Sequence, residues 1–543
     1  MGPAGATGAT VLAVDLGTGG PKTALVSLSG EVIDVVHRRV EPRVSADGAG
    51  VSDPDAWWDA IVEGTRELVD RHPADVARLA AVAVTGQWGS TVPVDAAGRP
   101  VGDCMLWMDT RGGELARRAL GGPVTVEGMA PHTALTWVVL TGGVPSTEGN
   151  DPFGHRLFIR HEQPDLYRAT ATFLEPLDLL NARFTGRIAA SRLSMLLSWL
   201  TDNRRGGVDR YHPRLLRLAG VDPSKLPPLV PARSVVGPVL PEVARELGLP
   251  TGLPVVTALP DLHSAALGSG AVGLHEPHLS ISTSAWIGCH TAGKRTSLAR
   301  QMATVPAALP GRYLLANNHE TAGVCLEWLR DHVLLADDGL THPGDASLRH
   351  LDAVAATAAP GSGGVLFAPW LNGERSPVAD ARLRASFHGV SLATTRADLV
   401  RSVLEGVAHN NRWLLEASEK VVRHPLPQLR VVGGGAQSDV WCQIHADVLG
   451  RPVHRVAQPL LASVRGAAFF AGLVLGLLEE GDIPSRVAID RTFEPDPDAR
   501  RVHDAAHAEY VRLPKAQRRI SHRLVAAARQ APHPATPSTT ASA

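Results

Sequence analysis

The chain has 543 residues, with 53 lysines and arginines against 54 aspartates and glutamates, a formal net charge of −1. That balance gives no general electrostatic hold on nucleic acid or on an anionic membrane, and glycine and proline, 53 and 41 residues, stay below the level that marks low complexity. A hydrophobic share of 44% at this length allows large cores, and two large α/β domains are expected.

Met1 to Thr10 has neither the basic start nor the apolar centre of a secretory signal. Position six is Ala6, so the N-myristoylation pattern is not met. Val11 to Asp15, Thr23 to Leu28 and Val32 to Val36 read as three antiparallel strands joined by tight glycine turns. Asp53-Pro54 supplies an N-cap and an N1 proline for a helix carrying Trp58, Ile61, Val62, Thr65, Leu68 and Val69, stopped at His72-Pro73. Leu79 to Thr85 is a buried strand ending at Gly86-Gln87. Further on, an apolar strand, Pro254 to Ala258, and a small-residue helix, Ser264 to Gly268, flank Asp261.

A second opening of the same kind follows, where Leu279 to Ser284 runs through Ala285 into Trp286 to His290. Two strands around a small-residue turn thus begin each half, as a duplicated fold facing one cleft would require, and clefts between domains favour ligands. Leu429 to Val432 leads into Gly433-Gly434-Gly435 and then a helix from about Ser438 to Leu449, with Gly450 as its stop. The longest apolar run, Ala467 to Leu478, is shorter than the roughly 20 residues of a membrane span. It reads as a buried helix, and a cytoplasmic protein with no membrane partner is expected. The Ala-, Pro-, Ser- and Thr-rich end, 528–543, reads as a disordered tail.

Four segments could carry chemistry. Asp15-Leu16-Gly17-Thr18-Gly19-Gly20-Pro21-Lys22 lets the backbone approach an anion, with Lys22 as a point charge, or is a plain hairpin. Lys22 stands out because lysine is scarce: Lys225, Lys294, Lys420 and Lys515 are the others. The triplet Gly433 to Gly435 seats a nucleotide at a helix start or only turns the chain. Neither segment has Walker A or G-x-G-x-x-G spacing. Asp261 is a helix cap or a carboxylate that accepts a hydroxyl proton. Tryptophan outnumbers phenylalanine, 11 to 9, and Trp88, Trp107, Trp286 and Trp370 sit near turns. They pack in cores or lay an indole on a sugar face, its N–H free for a hydroxyl. Cys104, Cys289, Cys325 and Cys442 form no C-x-x-C pair and read as reduced, buried thiols.

These segments, in this order, resemble the FGGY family of carbohydrate kinases from about Val11 to Val525. The resemblance adds Leu106-Trp107-Met108-Asp109-Thr110-Arg111, Glu327 to Asp331 and Asn372 to Pro377. It implies an actin-like α/β ATPase fold: two ribonuclease-H-like domains around a central cleft, here 9–256 on the sugar side and 257–527 on the nucleotide side. It implies ATP and Mg²⁺, with Asp15 and Asp261 as metal carboxylates and Asp261 as general base. By the same analogy Gly17, Thr18, Gly19, Gly20 and Lys22 line the first phosphate loop and Thr283 the second. Gly323, Glu327, Gly434, Gly435, Ala436 and Asp439 match positions around the nucleotide, and Gln87, Trp88 and Asp109 fall on the sugar side.

Three positions depart from the family pattern. Gly20 stands for a usual Ser or Thr, Ser282 for the glycine opening the second phosphate loop, and Leu259-Pro260 for the glycines before the catalytic Asp. Gln87 is followed by Trp88-Gly89-Ser90, neither the Met-His of xylulokinases and gluconokinases nor the Arg-Glu of glycerol kinases. The expectation is an ATP-dependent kinase of a sugar or polyol, closest in motifs to the xylulokinase branch, with room for a homodimer. The alternative is a sugar or nucleotide sensor that has lost transfer.

Overall fold

The computed structural model describes residues 8–125, 128–204, 207–336 and 347–528. The expected tail lies, but for its first residue, outside them. The chain opens with β1 (Thr10–Gly17), β2 (Gly20–Ser27) and β3 (Val32–His37), an antiparallel meander. Helix α1 (Pro54–Arg71) follows, its first turn held by the Asp53 carboxylate accepting from the Asp55 N–H, and it buries Trp57, Trp58, Ile61 and Leu68. Strand β4 (Leu79–Gly86) then lies parallel to β1. A helical insertion includes α2 (Pro131–Thr141), after which β5 (Val235–Pro238) and β6 (Pro254–Val256) complete the sheet in the order β5-β6-β4-β1-β2-β3.

The chain does not run straight from β6 into a helix at Ser264. Two residues, β7 (Leu259–Pro260), pair with β4, and α3 (Asp261–Gly268) begins at once. Asp261 is therefore the first residue of the helix and makes no side-chain cap. This corrects the cap reading.

The second sheet repeats the plan. Strands β8 (Pro277–Ile281) and β9 (Ala285–Thr291) form a hairpin; β10 (Thr296–Ser297), β11 (Met302–Pro306) and β12 (Tyr313–Ala316) extend it beyond β9. After α4 (Gly323–Leu329) and the 27-residue α5 (Arg396–Val422), β13 (Leu429–Val432) joins β8 in parallel. Helix α6 (Asp439–Leu449) runs from a Ser438 cap to Gly450 at φ 64°, as its end signals predict. Strand β14 (Val453–Val456), helix α7 (Ala462–Val474) and β15 (Ile489–Phe493) complete the sheet order β10-β11-β12-β9-β8-β13-β14-β15. In each sheet an antiparallel hairpin has a parallel strand beside its first member, so the duplicated opening in the sequence corresponds to a duplicated sheet.

Of the apolar run, Ala467 to Val474 lies in α7 and 475–478 leave the helix; α7 packs on the first sheet through Ala467, Ala468, Phe470 and Ala471. Among the described residues no helix is long and apolar enough to cross a membrane. Helices α3 and α7 touch backbone to backbone: a Cβ on Gly466 would lie 1.8 Å from the Ser264 carbonyl oxygen, and one on Gly268 would lie 1.8 Å from that of Ala462. Arg465, 2% exposed, donates to the carbonyls of Gly30, Gly268 and Ala457 and so joins three segments. A second bridge is farther out, where Lys294 donates to the carbonyls of Val138 (3.0 Å) and Val139 (2.7 Å) at the end of α2 and Thr296 donates to Gly142 (3.0 Å).

Candidate active site

Parallel strands open their carboxyl ends to ligands, and three such ends meet in the first domain. Asp15 of β1 and Leu259 of β7 both register with Thr85 of β4; Leu16 and Pro260 both register with Gly86. Asp261 follows one residue later. Its carboxyl accepts the Leu262 N–H at 2.7 Å. Burial, together with the nearby negative charge of Asp15, pushes its pKa up to about 7. Lys22 lies directly across the hairpin from Asp15, with Nζ 3.7 Å from Oδ2.

The turn between them is built for backbone. Gly20 has φ +115°, and a Cβ there would lie 2.2 Å from the Arg38 carbonyl oxygen. The departure at Gly20 is thus a requirement of the turn as folded: no serine or threonine fits it without moving Arg38 or Val40. Gly17 and Gly19 leave the surface of the turn open. Thr18 donates to Gln87 Oε1 (3.2 Å) and accepts from the Trp107 indole (3.2 Å), tying the glycine turn to the end of β4 and to Trp107.

Gln87 is 5% exposed, and its amide nitrogen Nε2 has no partner. The turn after it, Trp88-Gly89-Ser90, hangs on Glu175, a buried carboxyl that accepts from the Gly89 and Ser90 N–H groups at 3.3 and 3.1 Å. Burial pushes the Glu175 pKa well up. Nothing local in the sequence marks Glu175, because its partners lie 85 residues away. Asp109 is fully buried, and both its oxygens are committed to Arg111 and to the Gly50 N–H. It supports the wall behind Trp107 and offers no open face to a sugar.

The second domain contributes two loops. Ser282-Thr283-Ser284 turns between β8 and β9, held by Gly323 N–H donating to the Ser282 carbonyl and Ala322 N–H to that of Thr283, both at 2.8 Å. A Cβ on Gly323 would lie 2.6 Å from the Ser282 oxygen, so this glycine seats α4 against the loop. Thr283 is exposed at the turn, and Glu327 is exposed one helical turn into α4. The Gly433 Cα, at φ +92°, sits beside the Ser282 hydroxyl that the departure adds; a Cβ there would be 2.9 Å from it. Gly434 is open towards Leu460, Gly435 is closed in by Ile281 and Trp441, and Ala436 is buried. The Asp439 carboxylate is bound by Arg455 and Arg491, and Arg455 also donates to the Ala436 carbonyl at 3.5 Å.

Both domains meet under the two loop sets. Trp88 and Leu197 from the first, and Trp286, Ala307 and Ala316 from the second, pack on Leu196, Leu262, Ala266, Val305 and Leu314. His263 donates across the same junction, Nε2–H to the Pro306 carbonyl at 2.9 Å, and lies edge-on to Trp88. Burial holds its pKa down to about 4. Trp370, by contrast, is fully buried in its own cluster. All four cysteines are buried and unpaired.

Two sheets of one plan, with loops at their facing strand ends, define an actin-like two-domain phosphotransferase fold. Comparison with known proteins agrees. Residues 10–268 match the N-terminal domain of the FGGY family of carbohydrate kinases, and residues 280–475 match its C-terminal domain. The chain is 26% identical to a xylulose kinase of Staphylococcus epidermidis over 520 residues, covering 95% of this chain and 98% of that one. It is 30% identical to a glycerol kinase of Gloeobacter violaceus over 500 residues, 90% and 93%. The crystal structure of xylulose kinase from Rhodospirillum rubrum superposes with a TM-score of 0.79 at 28% identity, covering 94% of this chain and all of that one. The chain belongs to the FGGY family of carbohydrate kinases, and it is an ATP-dependent carbohydrate kinase.

Proposed function

We propose that this kinase phosphorylates a hydroxyl of a small ketose or polyol, xylulose-like in size, with Asp261 as the general base. The observation that carries the reading is the placement of Asp15 and Asp261 at the ends of two strands that flank β4, where burial and then the Asp15 charge raise the proton affinity of Asp261. A carboxyl with a pKa of about 7 is half ionised at neutral pH, so its base form is available to take the hydroxyl proton as the oxygen attacks. The sugar oxygen then attacks the γ-phosphorus of ATP, the bond to the β-phosphate bridging oxygen breaks, and ADP leaves. Lys22 and the N–H groups of the Asp15–Lys22 turn meet the transferring phosphoryl oxygens. Those of the Ser282–Ser284 turn, with Thr283, meet them from the other side. Gly434, Gly435 and Ala436 border the nucleotide, and Glu327 lies near its rim.

Two hard carboxylate ligands and no larger acidic or imidazole cluster among the described residues fit Mg²⁺, which completes its shell with phosphate oxygens and water. Asp15 and Asp261 would hold it, and when bound it neutralises phosphate charge. The family relatives, named for xylulose, gluconate and glycerol, support a small polyhydroxy acceptor. The test is ADP formation from ATP and Mg²⁺ across a panel of ketoses, polyols and aldonates. Turnover on a neutral pentulose or polyol is expected; ATP binding with no turnover on any member would favour the sensor.

A further inference from the structure

We propose that Tyr510, on a helix that follows the last strand, is a positioning residue for the Ser282–Ser284 turn, acting through Asn410, Glu374 and His319. The inference rests on the reading above that this turn meets the phosphates of ATP, and it gives Glu374, in the Asn372–Pro377 segment, a task at that turn.

The turn is held from one side by backbone N–H groups. Those of Ala322 and Gly323 take the carbonyls of Thr283 and Ser282, and that of His319 donates to the carbonyl of Ala285 at 2.8 Å. The strip 319–323 is therefore the frame of the turn, and whatever fixes His319 fixes one end of the frame. His319 is buried, with partners on both ring nitrogens. Nε2 lies 2.9 Å from the Asn410 carbonyl, which only accepts, so this nitrogen carries a hydrogen. Nδ1 lies 3.0 Å from Glu374 Oε2 and 3.0 Å from Asn410 Nδ2. The same carboxylate oxygen accepts from Asn410 Nδ2 at 2.6 Å, while Oε1 accepts the N–H groups of Arg375 (2.8 Å) and Glu320 (3.3 Å). Glu374 thus grips the strip through the His319 ring and the Glu320 backbone.

The far end of the chain of bonds is in α8 (Pro497–Tyr510), whose buried face carries Ala499, His503, His507 and Tyr510. That face lies on α5. The rings of His503 and His507 stand 5.5 and 5.6 Å from that of His409, and Tyr510 reaches the next residue, its hydroxyl donating to Asn410 Oδ1 at 2.8 Å. The Trp370 indole donates to the same oxygen at a longer 3.4 Å, so Tyr510 is the stronger of the two donors that orient the amide. Burial, followed by the Glu374 charge, pushes the Tyr510 pKa well up and keeps the hydroxyl a donor. With Oδ1 fixed, Nδ2 faces Glu374; with the hydroxyl gone, the amide is free to turn and Glu374 loses its Asn410 partner. His319, Glu374, Asn410 and Tyr510 are all buried and bonded, the condition under which a polar network rigidifies its surroundings.

The experiment compares wild type with Tyr510→Phe, which keeps the ring and removes the hydroxyl, with Glu374→Gln and with the double variant, in hydrogen-exchange mass spectrometry and steady-state kinetics. Tyr510→Phe is expected to speed exchange across 282–285 and 319–323. It is expected to raise the KM for ATP and lower kcat by roughly two- to tenfold each, the range that loss of one hydrogen bond gives, with the KM for the sugar unchanged. The double variant is expected to be no slower than Glu374→Gln, because both changes act on one chain of bonds. Unchanged exchange at 282–285 overturns the proposal, as do equal rises in both KM values or losses of kcat that multiply in the double variant. Faster exchange with unmoved kinetics keeps Tyr510 as the support of the turn and takes the turn away from the phosphates, so the site reading fails alone. If no sugar is turned over, ATP affinity by calorimetry replaces the kinetics in the same comparison, and if Glu374→Gln does not fold, Tyr510→Phe alone decides.

Discussion

At the scale of single residues, the proton affinity of Asp261 links chemistry to stability. With a pKa near 7, the base is lost as the pH falls, so kcat/KM for the sugar is expected to drop by about tenfold per pH unit below that value. A profile flat from pH 8 to 5 would contradict this. The same carboxyl binds its proton more tightly folded, at about 7, than at the ordinary 3.8 of an unfolded chain. Its ionisation therefore costs stability, a cost absent below about pH 4 and complete above about pH 7. Asp261→Asn is expected to melt above wild type at pH 7.5, with the difference shrinking towards pH 4, as differential scanning calorimetry of the unliganded proteins would show. Asp15, Lys22 and Asp261 stood out in the sequence as a glycine-turn segment and a junction carboxylate, but their proposed roles come from the resemblance to the family and not from spacing. Glu175 did not stand out, and neither did the commitments of Asp109 to Arg111 and of Asp439 to Arg455 and Arg491, because a side chain's partners are decided by tertiary contacts that spacing does not encode.

At the scale of elements, the proposed base, Asp261, is positioned by a helix crossing. Helix α3 carries Asp261 at its first residue, and its other end rests on α7 through Gly268 and Gly466 at distances that exclude any side chain. Gly466→Ala forces the helices apart, and overpacking of this kind costs about 1–3 kcal/mol. The expected outcome is a lower melting temperature and a lower kcat, since α3 moves with its aspartate; Gly481→Ala, with nothing within 4 Å of the added carbon, serves as the neutral control. An unchanged kcat in the folded Gly466 variant would show that the crossing does not position Asp261. Helix α6 was readable to within a residue because Ser438 and Gly450 are local signals. The start of α3 was misplaced by three residues because β7 is only two residues long and exists by pairing with β4, a nonlocal condition.

At the scale of the whole molecule, the two domains are joined near the centre by α7 and Arg465 and farther out by Lys294. The Lys294 ammonium sits at the carbonyl end of α2, where a cation is favoured by both the open carbonyls and the helix dipole. The sequence marks Lys294 only as one of few lysines; the role comes from the approach of β9–β10 to α2. Lys294→Met is expected to loosen this contact, raising the KM for both substrates more than it lowers kcat and enlarging the radius of gyration of the ligand-bound protein in small-angle scattering. Lys294→Arg is expected to restore both, and identical kinetics and radius in the Met variant would remove the bridge from the mechanism. The near-even charge of the chain fits the proposed site, in which a small polyphosphate would be met by backbone N–H groups, Lys22 and a metal and would need no basic surface. The most direct measurement of the central claim is ADP formation by wild type and Asp261→Asn side by side, with saturating ATP, Mg²⁺ and the preferred sugar, after calorimetry has matched their ATP affinities. The account expects turnover in the variant to fall by about 10²–10⁴-fold with ATP binding retained; undiminished turnover would contradict it.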